Sequence, residues 1–131
     1  MSKAKGAFEL ASWNEEQYRD LDDGGKLTRA SVTQTFSGDV TGDGAVEWLM
    51  CYRSDGVAHF VGLQTVRGAI DDRKGSFVLE TAGVFDGTTA NWSALVVPGS
   101  GTGDLEGLGG KAKFGAPQGS KAAFDFEYDL P

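Results

Sequence analysis

The feature that most constrains the fold is an alternation of apolar and polar residues that recurs along nearly the whole chain. Near the C-terminus, Phe124, Phe126 and Tyr128 alternate with three acidic residues. A period of two places successive side chains on opposite faces of a strand, whereas a helix repeats apolar residues every three or four positions. The alternation therefore predicts strands with one buried and one exposed face.

Clusters of glycine and aspartate divide the alternating segments and predict turns at residues 41–44, 54–56, 71–74 and 86–87. Residues 14–20 are the best helical candidate, but they lack an apolar stripe, so we assign them to a loop or a single turn. The predicted strands are residues 6–13, 26–40, 45–53, 57–70, 75–85, 88–98, 111–116 and 122–130.

Short links between these strands predict an antiparallel meander in which each strand pairs with the next. Eight strands are about the number at which such a sheet closes into an up-and-down β-barrel, wide enough for side chains or one small ligand. The length of 131 residues predicts a single domain over residues 1–131. Gly62, Gly68 and Gly83 interrupt predicted strands and are expected to mark bends or bulges.

A glycine-rich stretch at residues 97–110 contains six glycines in fourteen residues. A phosphate-binding loop would need a following helix and, in the P-loop, a Lys-Ser or Lys-Thr pair, and neither is present here. The alternative is architectural: Pro98 ends a strand, and Leu105 and Leu108 turn back toward the apolar interior. The stretch is therefore predicted to be a corner that plugs one end of the barrel.

The net charge of −7 argues against binding to nucleic acid or anionic membranes, because both carry phosphate. The single cysteine, Cys51, excludes an internal disulfide and fits a reducing compartment. No apolar run follows the N-terminal residues, and no window approaches the length of a membrane span. These observations predict a cytoplasmic protein.

Short motifs spread over nearly the whole chain carry a resemblance to a known family. They are residues 6–9 with Trp13, residues 32–38, Tyr52 with residues 55–56, residues 60–63, residues 73–79, Trp92, and residues 97–103. On these motifs the chain resembles a small bacterial family of unknown function, whose members adopt a barrel like that of allene oxide cyclase. The resemblance implies the barrel fold, and self-association into a homo-oligomer is an expectation from the same source.

A more distant similarity is to plant allene oxide cyclase itself. Residues 99–101 (Gly-Ser-Gly) followed by residues 105–109 match one of its glycine motifs, and residues 8–10 (Phe-Glu-Leu) match its first strand, whose glutamate lies in the cavity. The cavity asparagine of that enzyme is Ala11 here. The resemblance implies a lumenal Glu9, whereas the alternation of Phe8 and Leu10 places Glu9 outside. Both orientations remain open at this point.

Three residues are candidates for catalysis: Glu9, Gln34 and Tyr52. A lumenal Glu9 would be desolvated and prepared for acid–base chemistry. Gln34 shares the apolar face of its strand, and its buried amide needs a partner, either a neighbouring side chain or a ligand. Tyr52 carries a polar hydroxyl on an apolar face. His59 and Cys51 lack the context of a catalytic triad, and nothing in the sequence predicts a metal site.

Aromatic residues on the predicted inner faces would line a lumenal site, and we take Trp13, Trp48, Phe77, Trp92 and Phe126 as candidate ligand-binding residues. The first functional hypothesis is a barrel that binds a small hydrophobic molecule, and, if it is an enzyme, a cofactor-free isomerase or cyclase. The alternative is a non-enzymatic binding or assembly module with a packed lumen. A cavity of about 300 Å³ or more supports the first hypothesis.

Overall fold

Eight antiparallel strands form a closed barrel in the computed structural model, which describes residues 2–117 and 122–131. Each strand pairs with the next along the chain, and the first pairs with the last. The up-and-down barrel predicted from the sequence is therefore confirmed. The strands are β1 (Ser2–Asp20), β2 (Lys26–Gly38), β3 (Val40–Tyr52), β4 (Ala58–Ile70), β5 (Arg73–Phe85), β6 (Thr89–Val96), β7 (Gly109–Pro117) and β8 (Ala122–Asp129).

Residues at alternating positions along each strand face the inside and the outside of the barrel. In β8, Phe124, Phe126 and Tyr128 are buried, and in β3, Trp48 and Met50 are buried while the residues between them are exposed. The buried inner side chains form one continuous apolar core within the barrel. Burial of these side chains supplies the main driving force for closing the sheet.

The assignment of residues 14–20 to a loop is wrong, because β1 continues to Asp20 and pairs with β2 along its length. Two register shifts explain why the alternating pattern does not reveal this part of the strand. One lies between Leu10 and Ser12 and the other between Gln17 and Arg19. Each bulge inserts an extra residue and reverses the inside–outside order, so the alternation that identifies a strand is interrupted.

The turn predicted at residues 41–44 is also wrong: these residues lie within β3, and the chain turns earlier, at Gly38 and Asp39. Gly42 and Gly44 serve close packing instead. A Cβ on Gly42 would lie 2.2 Å from the carbonyl oxygen of Arg67, and one on Gly44 would lie 2.5 Å from the Phe36 ring. A glycine–aspartate run can therefore lie within a strand, where its glycines leave room for atoms of the neighbouring strands.

The glycines within β4 and β5 do not mark bulges, since the pairing of these strands runs without a register shift. The backbones of Gly62 and Gly83 lie against tryptophan side chains, whereas that of Gly68 lies against the backbone of Thr41 in β3. A Cβ on Gly62 would lie 2.6 Å from Cδ1 of Trp48, and one on Gly83 would lie 2.4 Å from Cβ of Trp92. The missing side chains therefore make room for two large rings in the lumen.

The glycine-rich stretch closes one end of the barrel, as predicted. A short 3-10 helix (Gly103–Leu105) lies within it, and Leu105 and Leu108 are 1% and 2% exposed. We call this end, where β1 begins and β8 ends, the plug end. The opposite end carries the β1–β2, β3–β4 and β5–β6 connections, and we call it the cavity end.

Candidate functional site

An apolar cavity of about 400 Å³ lies at the cavity end of the barrel. This volume is within the range of small-molecule sites, which is about 300–1,000 Å³. Its walls come from β1, β3, β4, β5, β6 and β7, so the site depends on closure of the sheet. The aromatic side chains that line it are Phe8, Trp13, Trp48, Tyr52, Phe60, Phe85 and Trp92.

The first bulge of β1 brings Trp13 to this cavity. Phe8 is inside and Glu9 is exposed, so without the bulge Trp13 would share the outer face with Glu9. With the bulge, the Trp13 ring turns inward and its centroid lies 5.9 Å from that of Trp48. Of the two orientations left open for Glu9, the structure has the outer one that the alternation of Phe8 and Leu10 indicates, so the lumenal orientation implied by the resemblance is wrong and Glu9 does not line the cavity.

The same bulge turns Glu15 toward the rim of the cavity. Oγ1 of Thr28 donates a hydrogen bond of 2.6 Å to Oε2 of Glu15, and Nε1 of Trp13 donates one of 3.0 Å to Oε1. Burial acts to raise the pKa of Glu15, but the hydrogen bonds from Thr28, Tyr52 and Trp13, together with the charge of Lys26, outweigh it. The net pKa lies below the ordinary value, so the carboxylate is ionised at neutral pH.

Tyr52 stands beside Glu15 and lines the cavity. Burial of the phenol, and then its hydrogen bond to Glu15, raise the pKa of Tyr52 to about 12. The hydroxyl is therefore a neutral proton donor at physiological pH. The other partner of the ring is cationic: Nζ of Lys26 lies 5.0 Å from its centroid, within the range of a cation–π interaction.

Trp48 and Trp92 form the floor of the cavity, with ring centroids 5.1 Å apart in an edge-to-face arrangement. Nε1 of Trp48 donates to Oγ1 of Thr81, which donates in turn to the carbonyl oxygen of Gly62. Trp92 stacks on Phe114, and its Nε1 is buried without a hydrogen-bond partner among the described residues. These contacts hold the floor in one arrangement.

Gln34 is buried, as the alternation predicts, but it does not line the cavity. It faces Gln64 across the interior, and Nε2 of Gln64 donates a hydrogen bond of 2.6 Å to Oε1 of Gln34. Nε2 of Gln34 and Oε1 of Gln64 have no partner among residues 2–117 and 122–131. The partner that Gln34 requires is thus a neighbouring side chain, and its placement gives no support to a role in the site at the cavity end.

Phe77 and Phe126 lie in the half of the barrel nearer the plug end. Their rings stack with centroids 5.9 Å apart and an interplanar angle of 11°. The space beside them is a void of about 20 Å³, too small for an organic ligand. Of the five residues predicted to bind a ligand, three border the cavity and two belong to the packed core. The three are Trp13, Trp48 and Trp92, and the two are Phe77 and Phe126.

The remaining candidates face outward. His59 is exposed and pairs in register with Cys51 on the neighbouring strand, away from the cavity. Within the described ranges, no three His, Cys, Asp or Glu side chains are grouped so that they could hold a metal ion. No helix in that part of the chain is long and apolar enough to cross a membrane.

Sequence reasoning missed Glu15 as a site residue, and it missed three aromatic residues of the walls, Phe8, Phe60 and Phe85. Glu15 fell in the segment that was predicted to be a loop, since the bulges conceal the strand. Phe60 was visible in the alternating pattern of β4, between two exposed residues. What the pattern does not reveal is which inner residues border a cavity and which are packed.

Comparison with known proteins identifies a family. Residues 4–128 match the family described as "Protein of unknown function (DUF3224)". A solved structure of a DUF3224 protein of unknown function from Shewanella oneidensis MR-1 is similar to this chain, with a TM-score of 0.85 and 28% sequence identity. The match covers 100% of this chain and 98% of the other. No curated protein matches. The resemblance to a bacterial family of unknown function is thus confirmed, and the chain belongs to the DUF3224 family.

Proposed function

We propose that this protein binds a small, largely apolar molecule in the cavity at the cavity end. The observation that carries the proposal is an aromatic-walled volume of about 400 Å³ above a packed floor. Apolar walls with a few polar groups at the margin are typical of small-molecule sites. Here the margin supplies the hydroxyl of Tyr52 and the carboxylate of Glu15.

Binding can be followed without a label, because the chain has three tryptophans and all of them line the cavity. We expect the neutral dye N-phenylnaphthylamine to quench tryptophan emission by energy transfer and to gain fluorescence itself. A variant that fills the cavity, Ala90→Phe, should abolish both signals. Its matched control, Ala45→Phe, adds the same ring to an exposed position outside the barrel and should bind the dye normally.

Binding of the dye by Ala90→Phe at the affinity of the unmodified protein would overturn the proposal, since the dye would then occupy another surface. Circular dichroism and thermal unfolding of both variants establish that the barrel is intact. The natural ligand class is accessible by native mass spectrometry of protein purified from its own host, followed by denaturation and analysis of released small molecules.

We extend the proposal to chemistry as a cofactor-free isomerisation or cyclisation in the same cavity. Apolar walls favour one folded conformer of a flexible molecule and exclude water. The hydroxyl of Tyr52, which stays protonated at physiological pH, would donate a hydrogen bond to the bound molecule and polarise the group that rearranges. The test uses any compound released from the native protein. Its rearrangement on incubation should be lost in Tyr52→Phe while binding persists, and an unchanged rate in that variant would refute the role.

A second candidate is assembly through the outer surface, favoured by an apolar groove on the outside of the barrel. The groove has a volume of about 560 Å³, and no Asp, Glu, Lys or Arg lines it among the described residues. Exposed apolar patches commonly mark interaction sites. A chain of net charge −7 repels a second copy least at an uncharged face. The outer side chains of the groove include Tyr18, Leu27, Leu49, Cys51, His59, Val61 and Val84.

We take a second copy of this chain as the occupant of that groove. Light scattering during size-exclusion chromatography should then show a mass that doubles as concentration rises. Val61→Lys should remain monomeric, whereas Thr41→Lys, which is exposed elsewhere on the barrel, should still associate. A monomeric mass for the unmodified protein at every concentration would refute this candidate.

A further inference from the structure

We propose that the cavity prefers an apolar or aromatic molecule that carries a protonated amine, with the amine at the Glu15 side of the rim. The inference rests on the proposed function, because it names the chemical class that the same cavity would take. Its basis is the combination of aromatic faces with a fixed carboxylate at their edge.

The aromatic walls of the cavity offer ring faces to a cation. Trp13, Trp48 and Tyr52 line the side of the cavity nearest Glu15. The face of an aromatic ring carries negative potential and attracts cations, most strongly for tryptophan. This surface already holds one cation, because Nζ of Lys26 lies 5.0 Å from the centre of the Tyr52 ring.

The carboxylate of Glu15 is fixed at the edge of these walls. Glu15 is held by hydrogen bonds from Thr28 and from Trp13, the latter itself a cavity residue. These donors fix the position of the carboxylate and favour its charged form, so it meets an incoming cation without rearrangement. None of the residues that line the cavity carries a charge of its own. Glu15 is therefore a charged group that bonds directly to an aromatic residue of the walls, Trp13.

The wider rim of the cavity carries further charged groups. Asp86 accepts hydrogen bonds from the backbone N–H groups of Thr88 and Thr89 and from the Thr88 hydroxyl, and Thr88 lines the cavity. Asp55 is paired with Arg53, which balances its charge. Lys26 is the cation nearest Glu15 and offsets part of its field. With a net charge of −7, the molecule as a whole attracts cations and repels carboxylates.

The experiment compares three naphthalene probes of the same size by isothermal titration calorimetry at neutral pH. They are naphthylmethylamine, which is cationic, methylnaphthalene, which is neutral, and naphthoic acid, which is anionic. We expect the amine to bind about tenfold more tightly than the neutral probe, and the acid more weakly than either. Glu15→Gln should remove the preference for the amine while leaving affinity for the neutral probe unchanged.

Two further variants separate a rim effect from a general charge effect. Glu9→Gln changes the net charge by the same amount, but Glu9 is exposed on the outside of the barrel, so the preference should persist. Lys26→Met removes the competing cation and should strengthen binding of the amine. It also keeps the test informative if Glu15→Gln fails to fold.

The outcomes distinguish the two proposals. Equal affinities for the three probes, or tightest binding of the acid, would overturn the preference for an amine while leaving the binding cavity in place. Loss of the preference in Glu9→Gln as well would also overturn it, because a distant charge would then account for the effect. Failure of all three probes to bind would overturn the proposed function itself.

Discussion

The role of each inward-facing polar residue in this barrel depends on the one or two side chains that it contacts. Tyr52 faces Glu15, whereas Gln34 faces Gln64 within the packed interior. The same sequence signal, a polar side chain on an apolar face, thus leads to a residue of the cavity in one case and to an internal hydrogen bond in the other.

The raised pKa of Tyr52 predicts a loss of stability in alkaline solution. The ordinary value is 10.0 and the value in the folded protein is about 12. The folded state therefore holds the proton more tightly, and its contribution is fully present below pH 10.0 and is lost as the pH rises toward about 12. Phenolate absorbance should show Tyr52 and Tyr128 titrating above the ordinary range, since burial also raises the pKa of Tyr128, and only the contribution of Tyr52 should be absent from Tyr52→Phe. A titration curve unchanged by that substitution would contradict the assignment.

The Gln34–Gln64 pair predicts strongly non-additive mutations. Gln34→Met or Gln64→Met alone leaves one buried amide without its partner and should cost about 1–3 kcal/mol. The double variant removes both amides and should unfold at nearly the urea concentration of the unmodified protein, since each amide already has one unpartnered atom among the described residues. Additive losses in the double variant would show that the two side chains do not interact.

At the scale of elements, the plug depends on one close approach between loop backbones. A Cβ on Gly101 would lie 2.0 Å from the carbonyl oxygen of Leu105, whereas nothing lies within 4 Å of one on Gly109. Gly101→Ala should therefore displace the 3-10 helix and lower the melting temperature, and Gly109→Ala should leave it nearly unchanged. Equal melting temperatures for the two variants would contradict the packing that we describe.

Leu105 should contribute as much to the free energy of unfolding as a typical buried leucine. It is 1% exposed and closes the plug end over the barrel interior. Leu105→Ala should cost about 2–5 kcal/mol in free energy of unfolding, because it removes buried methyl groups and leaves a cavity. Glu106→Ala, at an exposed neighbouring position, is the control and should cost little. Denaturant unfolding measures both, and a loss confined to Glu106→Ala would refute the plug.

At the scale of the whole molecule, closure places the two ends of the chain side by side. Ser2 pairs in register with Tyr128, so a short flexible linker can join the termini. A circular permutant opened in the exposed turn at Gly56 should keep the barrel and bind the dye. A permutant opened at Gly62, in the middle of β4, should not fold, since it splits a strand that pairs on both sides. Equal stability of the two permutants would contradict this.

The sequence by itself determined the fold class, the strand pairing and most inner residues, because alternation and turn residues are local signals that each strand carries alone. Phe124, Phe126 and Trp48 were identified as inner residues for that reason. It also identified the plug, since Leu105 and Leu108 are apolar residues within a glycine-rich connection.

Only the tertiary structure decided where the lumen is filled and where it is empty. The bulge after Leu10 reverses the inner face of β1 and so brings Trp13 and Glu15 to the cavity, while Glu9, which precedes the bulge, stays outside opposite the buried Phe8. Gly62 and Gly83 set the positions of Trp48 and Trp92 by leaving room for them. These outcomes depend on contacts between strands distant in sequence, and the volume left among side chains is a property of their joint packing that no single strand encodes.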